Sequence, residues 1–281
     1  MAAVKAAVFG AAGFIGRHLV EHLSNEGWAV RALIRGDQSW RGEDLGHVFY
    51  CAGLTADFRQ RPYDAIAAHV SFAVEVLTQA RFDSFLYTSS TRVYAGGAEA
   101  IETARLSADP SDPSDLYNLS KLTGEAACLT SPNPAVRVAR LSNVFGHDPG
   151  SDNFISAIVR DAVTTGNVLV RSAPQSAKDY IGVGDVCRAM EVIAAVGGAR
   201  LYNVASGRNT PNADVVQALV AATGCAAAFE ADAPTVTFPS INVTRLRALG
   251  MLDGQSIVEA IPNLVDQMRR YEERVFGAHS R

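Results

Sequence analysis

Tyr117 and Lys121 stand four residues apart in the run Tyr117-Asn118-Leu119-Ser120-Lys121. On a helix that spacing puts a phenol and an ammonium on one face, a turn apart. An ammonium beside a phenol favours the phenolate and lowers a pKa that is about 10 when free. Such a tyrosine can trade a proton near neutral pH. Another run is built for phosphate. Gly10-Ala11-Ala12-Gly13-Phe14-Ile15-Gly16 follows an apolar strand-like segment and opens an amphipathic one. In this spacing Gly10 permits a tight turn, Gly13 lets the backbone approach a pyrophosphate, and Gly16 lets helix and strand pack closely; the helix N-terminus then faces the phosphates. Tyr-x-x-x-Lys is common by chance. Here it follows the glycine loop by about 100 residues, with the strand end Thr88-Ser89-Ser90-Thr91 between them.

The run Leu33-Ile34-Arg35-Gly36 ends the second strand-like segment. A site that prefers NAD usually places an acid there to hold the adenosine ribose, whereas a cation suits a 2′-phosphate. Arg35 therefore favours NADP(H), and NAD(H) stays possible with Asp37 on the ribose. His18-Leu19-Val20-Glu21-His22 matches a pattern of some zinc peptidases. It falls on the helix after the glycine loop, where the histidines read as a solvated face, so no metal is expected.

The elements that must position these groups alternate. Strands are expected at Val4–Gly10, Ala29–Ile34, His47–Ala52, Ser84–Thr88 and Val136–Leu141, with helices at Phe14–Asn25, Tyr63–Ala80 and Tyr117–Leu129. Strands separated by crossover helices imply a parallel sheet covered on both faces, hence an α/β, doubly wound Rossmann fold. The later half suggests helices at Asn153–Thr165, Asp185–Val196, Asn212–Thr223 and Ser256–Phe276. Short strands are expected near Val168–Arg171, Leu201–Val204 and Thr235–Phe238, with loops at Ser107–Ser114 and Ser172–Ala177. These pieces fit a smaller, discontinuous lobe at the carboxyl edge of the sheet, where open α/β sheets take their ligands. We divide the chain into a dinucleotide-binding domain, 1–146 plus 178–205, and a substrate-binding lobe, 147–177 plus 206–281.

The chain has 281 residues, 48% of them apolar, and a net charge of −4. That composition supports a large core and gives no general attraction to nucleic acid or an anionic membrane surface. The longest uncharged stretch, between Asp214 and Glu230, is too short to span a bilayer and contains Gly224. No secretory leader is expected after Lys5. Cys51, Cys128, Cys187 and Cys225 form no Cys-x-x-Cys pair and read as buried thiols in a reducing, cytoplasmic setting.

Taken together, these motifs resemble the extended short-chain dehydrogenase/reductase family, the NAD(P)-dependent nucleotide-sugar epimerase/dehydratase group. The resemblance rests on Gly10–Gly16, Ala52-Gly53, Ser89-Ser90-Thr91-Arg92-Val93-Tyr94, Tyr117–Lys121 with Glu125, Arg140-Leu141-Ser142-Asn143-Val144-Phe145-Gly146 and Lys178-Asp179-Tyr180-Ile181, and it covers nearly the whole chain. It implies that Ser90 is the catalytic hydroxyl, Tyr117 the acid/base, and Lys121 the cation that tunes Tyr117 and holds the nicotinamide ribose. By the same resemblance Gly10, Gly13, Phe14, Ile15, Gly16, Arg35, Ala52, Gly53, Tyr117, Lys121, Leu141 and Asn143 bind cofactor. Thr91, Arg92, Asn143, Asn153 and Lys178 would meet substrate. A homodimer through the helices after the fourth and fifth strands is also implied; Ile66, Val70, Val74 and Leu77 recur there at helical spacing.

The chain departs from the family at several places. Dehydratases carry an acidic pair after the catalytic hydroxyl, where this chain has Thr91 and Arg92, so 4,6-dehydration is not expected. His69 stands where most members have Asn and is expected to take over a structural hydrogen bond. Lys178 replaces an Arg, giving a point charge without a bidentate fork, and a further family Arg is not visible between Ala231 and Ile241. Only Gly36 to Gly46 lies where a third βα unit should be, too short for a strand and a crossover helix. That unit is expected to be missing, with Trp40 or Arg41 covering the adenine. The expected activity is keto-reduction of a nucleotide-linked sugar. The alternatives are NAD-dependent C4 epimerisation and a non-catalytic NADP-sensing regulator.

Overall fold

The computed structural model describes residues 3–54, 58–251 and 254–276. The chain opens with β1 (Lys5–Phe9), α1 (Phe14–Asn25), β2 (Ala29–Leu33) and β3 (His47–Tyr50). A helical stretch follows: α2 (Pro62–Ile66), a π-helical turn (Ala67–Ser71) and α3 (Phe72–Gln79). Next come β4 (Ser84–Ser90), a 3-10 turn (Thr91–Tyr94), α4 (Leu116–Leu129) and β5 (Val136–Leu141). The remainder runs β6 (Asn143–Phe145), α5 (Phe154–Thr164), β7 (Asn167–Val170), β8 (Ala177–Gly182), α6 (Val183–Val196), β9 (Leu201–Val204), β10 (Asn209–Pro211), α7 (Asn212–Thr223), β11 (Ala226–Phe229), α8 (Thr244–Arg247) and α9 (Ile257–Phe276).

The main sheet is ordered β2-β1-β3-β4-β5-β9, and every neighbouring pair is parallel. The chain leaves β1 toward one edge and returns from β3 toward the other, so the switch point lies at β1/β3. The crevice beyond their carboxyl ends is the ligand position of such sheets. α1 and α6 cover one face, burying Leu19, Leu23, Val186, Met190 and Ile193. The opposite face buries Trp40, Ala73, Val76 and Cys128. A separate apolar cluster joins α5, α7 and α9 through Ile158, Leu219, Ile261 and Val265.

β2 is an edge strand, and among the described residues nothing pairs outside it, in keeping with a missing third βα unit. The expectation for the replacing segment is corrected. Trp40 is fully buried, edge-on to Phe9 at 5.7 Å and Phe72 at 6.4 Å, and so cannot cover an adenine. Arg41 lies 4.8 Å over the Trp40 ring and is tied to Glu75 and Gln79. The indole belongs to the buried cluster on that face of the sheet. Thr235–Phe238 is not a strand; Thr237 makes one isolated bridge to Ala177. The helix expected over Tyr63–Ala80 is interrupted by the π turn.

That turn has a local cause. Widening the helix frees carbonyls, and buried tyrosines of the sheet take them: Tyr50 donates to Ala68 O at 2.5 Å and Tyr87 to His69 O at 2.9 Å. Gly124 lets α4 come close at the same place, since a Cβ there would collide with the Tyr87 hydroxyl and the His69 carbonyl. π turns of this kind collect at functional sites.

Candidate functional site

The glycine loop has the shape its spacing requires. Gly10 has φ +78°, and a Cβ on it would sit 2.7 Å from Ala52 N. A Cβ on Gly16 would overlap the Gly10 carbonyl, so α1 could not lie so close to β1. Gly13 is the N-cap of α1, which carries no side-chain cap. Its orphan amides and dipole therefore face the crevice, which suits a pyrophosphate. Ala52 and Gly53 follow β3; Ala52 approaches Gly10, and Gly53 faces His69 and Lys121. Phe14 and Ile15 are half-buried in the first turn of α1. The loop thus fits a dinucleotide.

Arg35 is exposed just past β2. Asp37 has its carboxylate engaged by Ser39, whose amide donates at 2.8 Å and whose hydroxyl donates at 2.5 Å. Those hydrogen bonds hold the Asp37 pKa below the usual carboxylate range.

Ser90 ends β4 and caps the following 3-10 turn, its Oγ accepting from Arg92 N at 3.2 Å. Its strand partner is Leu141, the buried last residue of β5. Thr91, next in the chain, is buried. Tyr117 and Lys121 lie on α4 and are each 5% exposed. The Lys121 Nζ donates to Thr88 O at 3.0 Å, within the strand that carries Ser90, and lies 6.0 Å from the Tyr117 ring centroid. Burial pushes the Lys121 pKa down to about 8, with Glu125 and Cys51 acting against it. The Tyr117 ring packs on Phe58 at 5.2 Å and edge-on to His69 at 5.4 Å. The Arg92 guanidinium is 5.7 Å from the same ring. The structure therefore brings the segments of Ser90, Tyr117 and Lys121 together at the carboxyl end of β4.

His69 takes over more than one bond. Its Nε2 accepts from Leu54 N at 3.2 Å, so Nδ1 carries the hydrogen and faces Ser120 Oγ at 2.8 Å; Ser120 then donates to Tyr117 O at 2.9 Å. Burial and Lys121 lower the His69 pKa to about 3, so the ring is neutral. A Cβ on Gly53 would meet the His69 Nε2 at 3.1 Å and the Lys121 Nζ at 3.5 Å. One neutral histidine thus links the loop after β3, the π turn and the helix turn of Tyr117.

Behind the site, Glu125 and Arg140 form a buried ion pair at 2.5 Å. Ser89 donates to Glu125, Arg140 donates to Tyr94 Oη at 2.8 Å, and Tyr94 donates to Asn203 Oδ1 at 2.8 Å. Glu125 and Arg140 are quoted in the sequence motifs, but their pairing across α4 and β5 is a tertiary fact that spacing does not carry. Phe58 and Arg59 were not singled out from the sequence, because they lie in a loop without periodicity.

The other expected residues are spread more widely. Asn143 donates to Asp179 O at 2.8 Å. Asn153 is committed to the N-cap of α5, accepting from Ser156 N at 3.0 Å. Lys178 is half-buried, 5.7 Å over the Phe154 ring, and burial followed by Arg92 lowers its pKa. His18 and His22 are bonded elsewhere, to Phe14 O and Glu191. Among the described residues no cluster could hold a metal ion.

A doubly wound sheet, a glycine-lined helix N-terminus at its switch point, and a Tyr/Lys face beside it define a dinucleotide-dependent enzyme. The family described as "NAD dependent epimerase/dehydratase family" matches residues 6–205, and this chain belongs to it. The chain is 28% identical to a ceramide reductase of Caulobacter vibrioides (strain NA1000 / CB15N) over 148 residues. That stretch is 50% of this chain and 46% of the relative, so the chain matches about half the length of that curated protein. Among solved structures, MoeE5 in complex with UDP-glucuronic acid and NAD is similar at 23% identity and TM-score 0.78, covering 95% of this chain and 99% of that one. RMD from Pseudomonas aeruginosa, complexed with NADPH, is similar at 21% identity and TM-score 0.76, covering 95% and 99%.

Proposed function

We propose that this enzyme is an NADP(H)-dependent keto-reductase of a nucleotide-linked sugar. The observation that carries the reading is the buried Lys121, held by the Thr88 carbonyl between Tyr117 and the strand of Ser90. When bound, the nicotinamide supplies the hydride. The amides of Phe14, Ile15 and Gly16 hold the pyrophosphate, Gly10 and Gly13 let the backbone approach it, and Ala52, Gly53, Leu141 and Asn143 line the dinucleotide crevice. Arg35 takes the ribose 2′-phosphate, since Asp37 is already engaged by Ser39.

Ser90 Oγ accepts from the Arg92 amide, which leaves its hydroxyl hydrogen to donate to the substrate carbonyl oxygen. Tyr117 Oη gives that oxygen a proton. The Lys121 ammonium stabilises the phenolate left behind and holds the nicotinamide ribose. Lys178 meets the diphosphate of the substrate, and Thr91, Arg92 and Asn143 meet its sugar. Asn153 acts there only indirectly, by fixing the start of α5. Thr91 and Arg92, in place of an acidic pair, speak against elimination of water.

The reading includes a homodimer. Ile66 is 37% exposed, and Val70, Val74 and Leu77 are only half-buried beside it, an apolar edge along α2–α3.

Thermal shift with NADPH and NADH tests the cofactor half. A larger stabilisation by NADPH is expected, and a shift with NADH alone would contradict the role of Arg35. A keto-reductase must release oxidised cofactor every turnover. Purified protein carrying near-stoichiometric NAD(H) would therefore replace reduction by C4 epimerisation.

A further inference from the structure

Arg59 and Arg92 stand at the Tyr117 end of the site, with Lys178 within electrostatic reach of Arg92, and none of the three has a carboxylate within 4.0 Å among the described residues. Arg59 and Arg92 share one platform. Their guanidinium carbons lie 4.8 and 5.3 Å from the Phe58 ring centroid. Both donate to Ser114, Arg59 to the hydroxyl at 3.2 Å and Arg92 to the carbonyl at 3.4 Å. Burial first and Arg59 next depress the Arg92 pKa; burial first and Arg92 next depress that of Lys178. Asp112 and Asp115 pull the other way on Arg92, but their carboxylates are already engaged, Asp112 by Ser114 N and Asp115 by Asp109 N and Asn118 Nδ2.

Half-buried cations such as Arg92 and Lys178, near one another and without a carboxylate partner, are unfavourable until an anion arrives. Under the proposed function Lys178 answers to the diphosphate. Arg92 stands nearer the chemistry, 5.7 Å from the ring of the acid/base tyrosine, and its planar fork suits a carboxylate held bidentately. We infer that the substrate carries a second anionic group beside its reacting carbon, a carboxylate on the sugar, which Arg92 reads with help from Arg59. The preferred substrate is then an acidic nucleotide sugar. This inference rests on the nucleotide-sugar reading above.

The test is calorimetric binding to the enzyme saturated with whichever oxidised cofactor the thermal-shift experiment selects. UDP-glucuronate is compared with UDP-glucose, and GDP-mannuronate with GDP-mannose. In at least one pair the acidic sugar is expected to bind about tenfold tighter or more, the value of a charge-assisted hydrogen bond. Arg92→Gln should remove most of that preference by weakening the acidic sugar far more than the neutral one, and Arg92→Lys should keep part of it. Arg59→Gln, a change at an exposed position, should reduce the preference without affecting the fold.

Equal binding of acidic and neutral sugars by the unmodified enzyme overturns the inference and leaves the nucleotide-sugar reading standing. An Arg92→Gln protein that weakens both sugars alike also overturns it, since Arg92 would then serve the diphosphate. Failure of all four sugars to bind an enzyme that still binds cofactor overturns the nucleotide-sugar reading and the inference with it.

Discussion

Lys121 carries its charge where burial opposes it. Its pKa is pushed down to about 8 from 10.5, so between those values the unfolded chain holds more proton than the folded one. Stability contributed through this group therefore rises with pH across that window. Activity runs the other way, because the neutral amine no longer stabilises a phenolate. In the reductive direction kcat/KM is expected to fall with an alkaline limb near pH 8, measured on the free enzyme across a pH series. His69 behaves differently: its pKa of about 3 keeps it neutral throughout, so it contributes no limb at pH 5–8. Replacing it by Phe strands the Leu54 amide and takes away the donor to the Ser120 hydroxyl, which keeps its own bond to the Tyr117 carbonyl. The expected cost is about 1–3 kcal/mol per buried group in denaturant unfolding, with kcat reduced because the helix turn of Tyr117 loses its tie. His69→Asn should be milder, since it keeps a donor and an acceptor.

At the scale of elements, α4 is held to the sheet by a buried pair. Glu125 and Arg140 join helix to β5 and continue through Tyr94 to Asn203 on β9. Breaking such a pair leaves an uncompensated buried charge, so Arg140→Met is expected to lower unfolding free energy by about 3–5 kcal/mol. Replacing both partners by apolar residues should recover much of that loss in the same denaturant titration. The elements with a clear period were legible from sequence: α1 and β5 fall at their expected bounds, as do β9 and α7. The strand β7 of the two-stranded sheet was legible too, but the three-stranded sheet was not. β10 is Asn-Thr-Pro and β6 is Asn-Val-Phe, too short and too polar to alternate, and their pairing with β8 is decided by tertiary contact. Ser90, Tyr117 and Lys121 were readable as motifs. The route from His69 through Ser120 to the Tyr117 carbonyl was not, because it depends on a π turn set by Tyr50 and Tyr87 of neighbouring strands.

For the whole molecule, the shortened segment after β2 leaves the sheet one βα unit narrower and gives Trp40 its buried place. Trp40→Ala is expected to cost about 3–5 kcal/mol in unfolding, as truncation of a large core aromatic does. With a net charge of −4, the proposed function leaves anions to local groups: the α1 N-terminus, Arg35, Arg92 and Lys178. The central claim is that these groups serve a reduction in which Tyr117 delivers the proton. It is tested most directly by single-turnover reaction with 4-deuterated NADPH and a keto nucleotide sugar, followed by mass analysis of the sugar. Deuterium at the reduced carbon with release of NADP+ is the expected result, and Tyr117→Phe should slow the step by about 10²–10⁴-fold while leaving NADPH affinity unchanged. An epimerised sugar without deuterium, or a Tyr117→Phe enzyme as fast as the original, would contradict it.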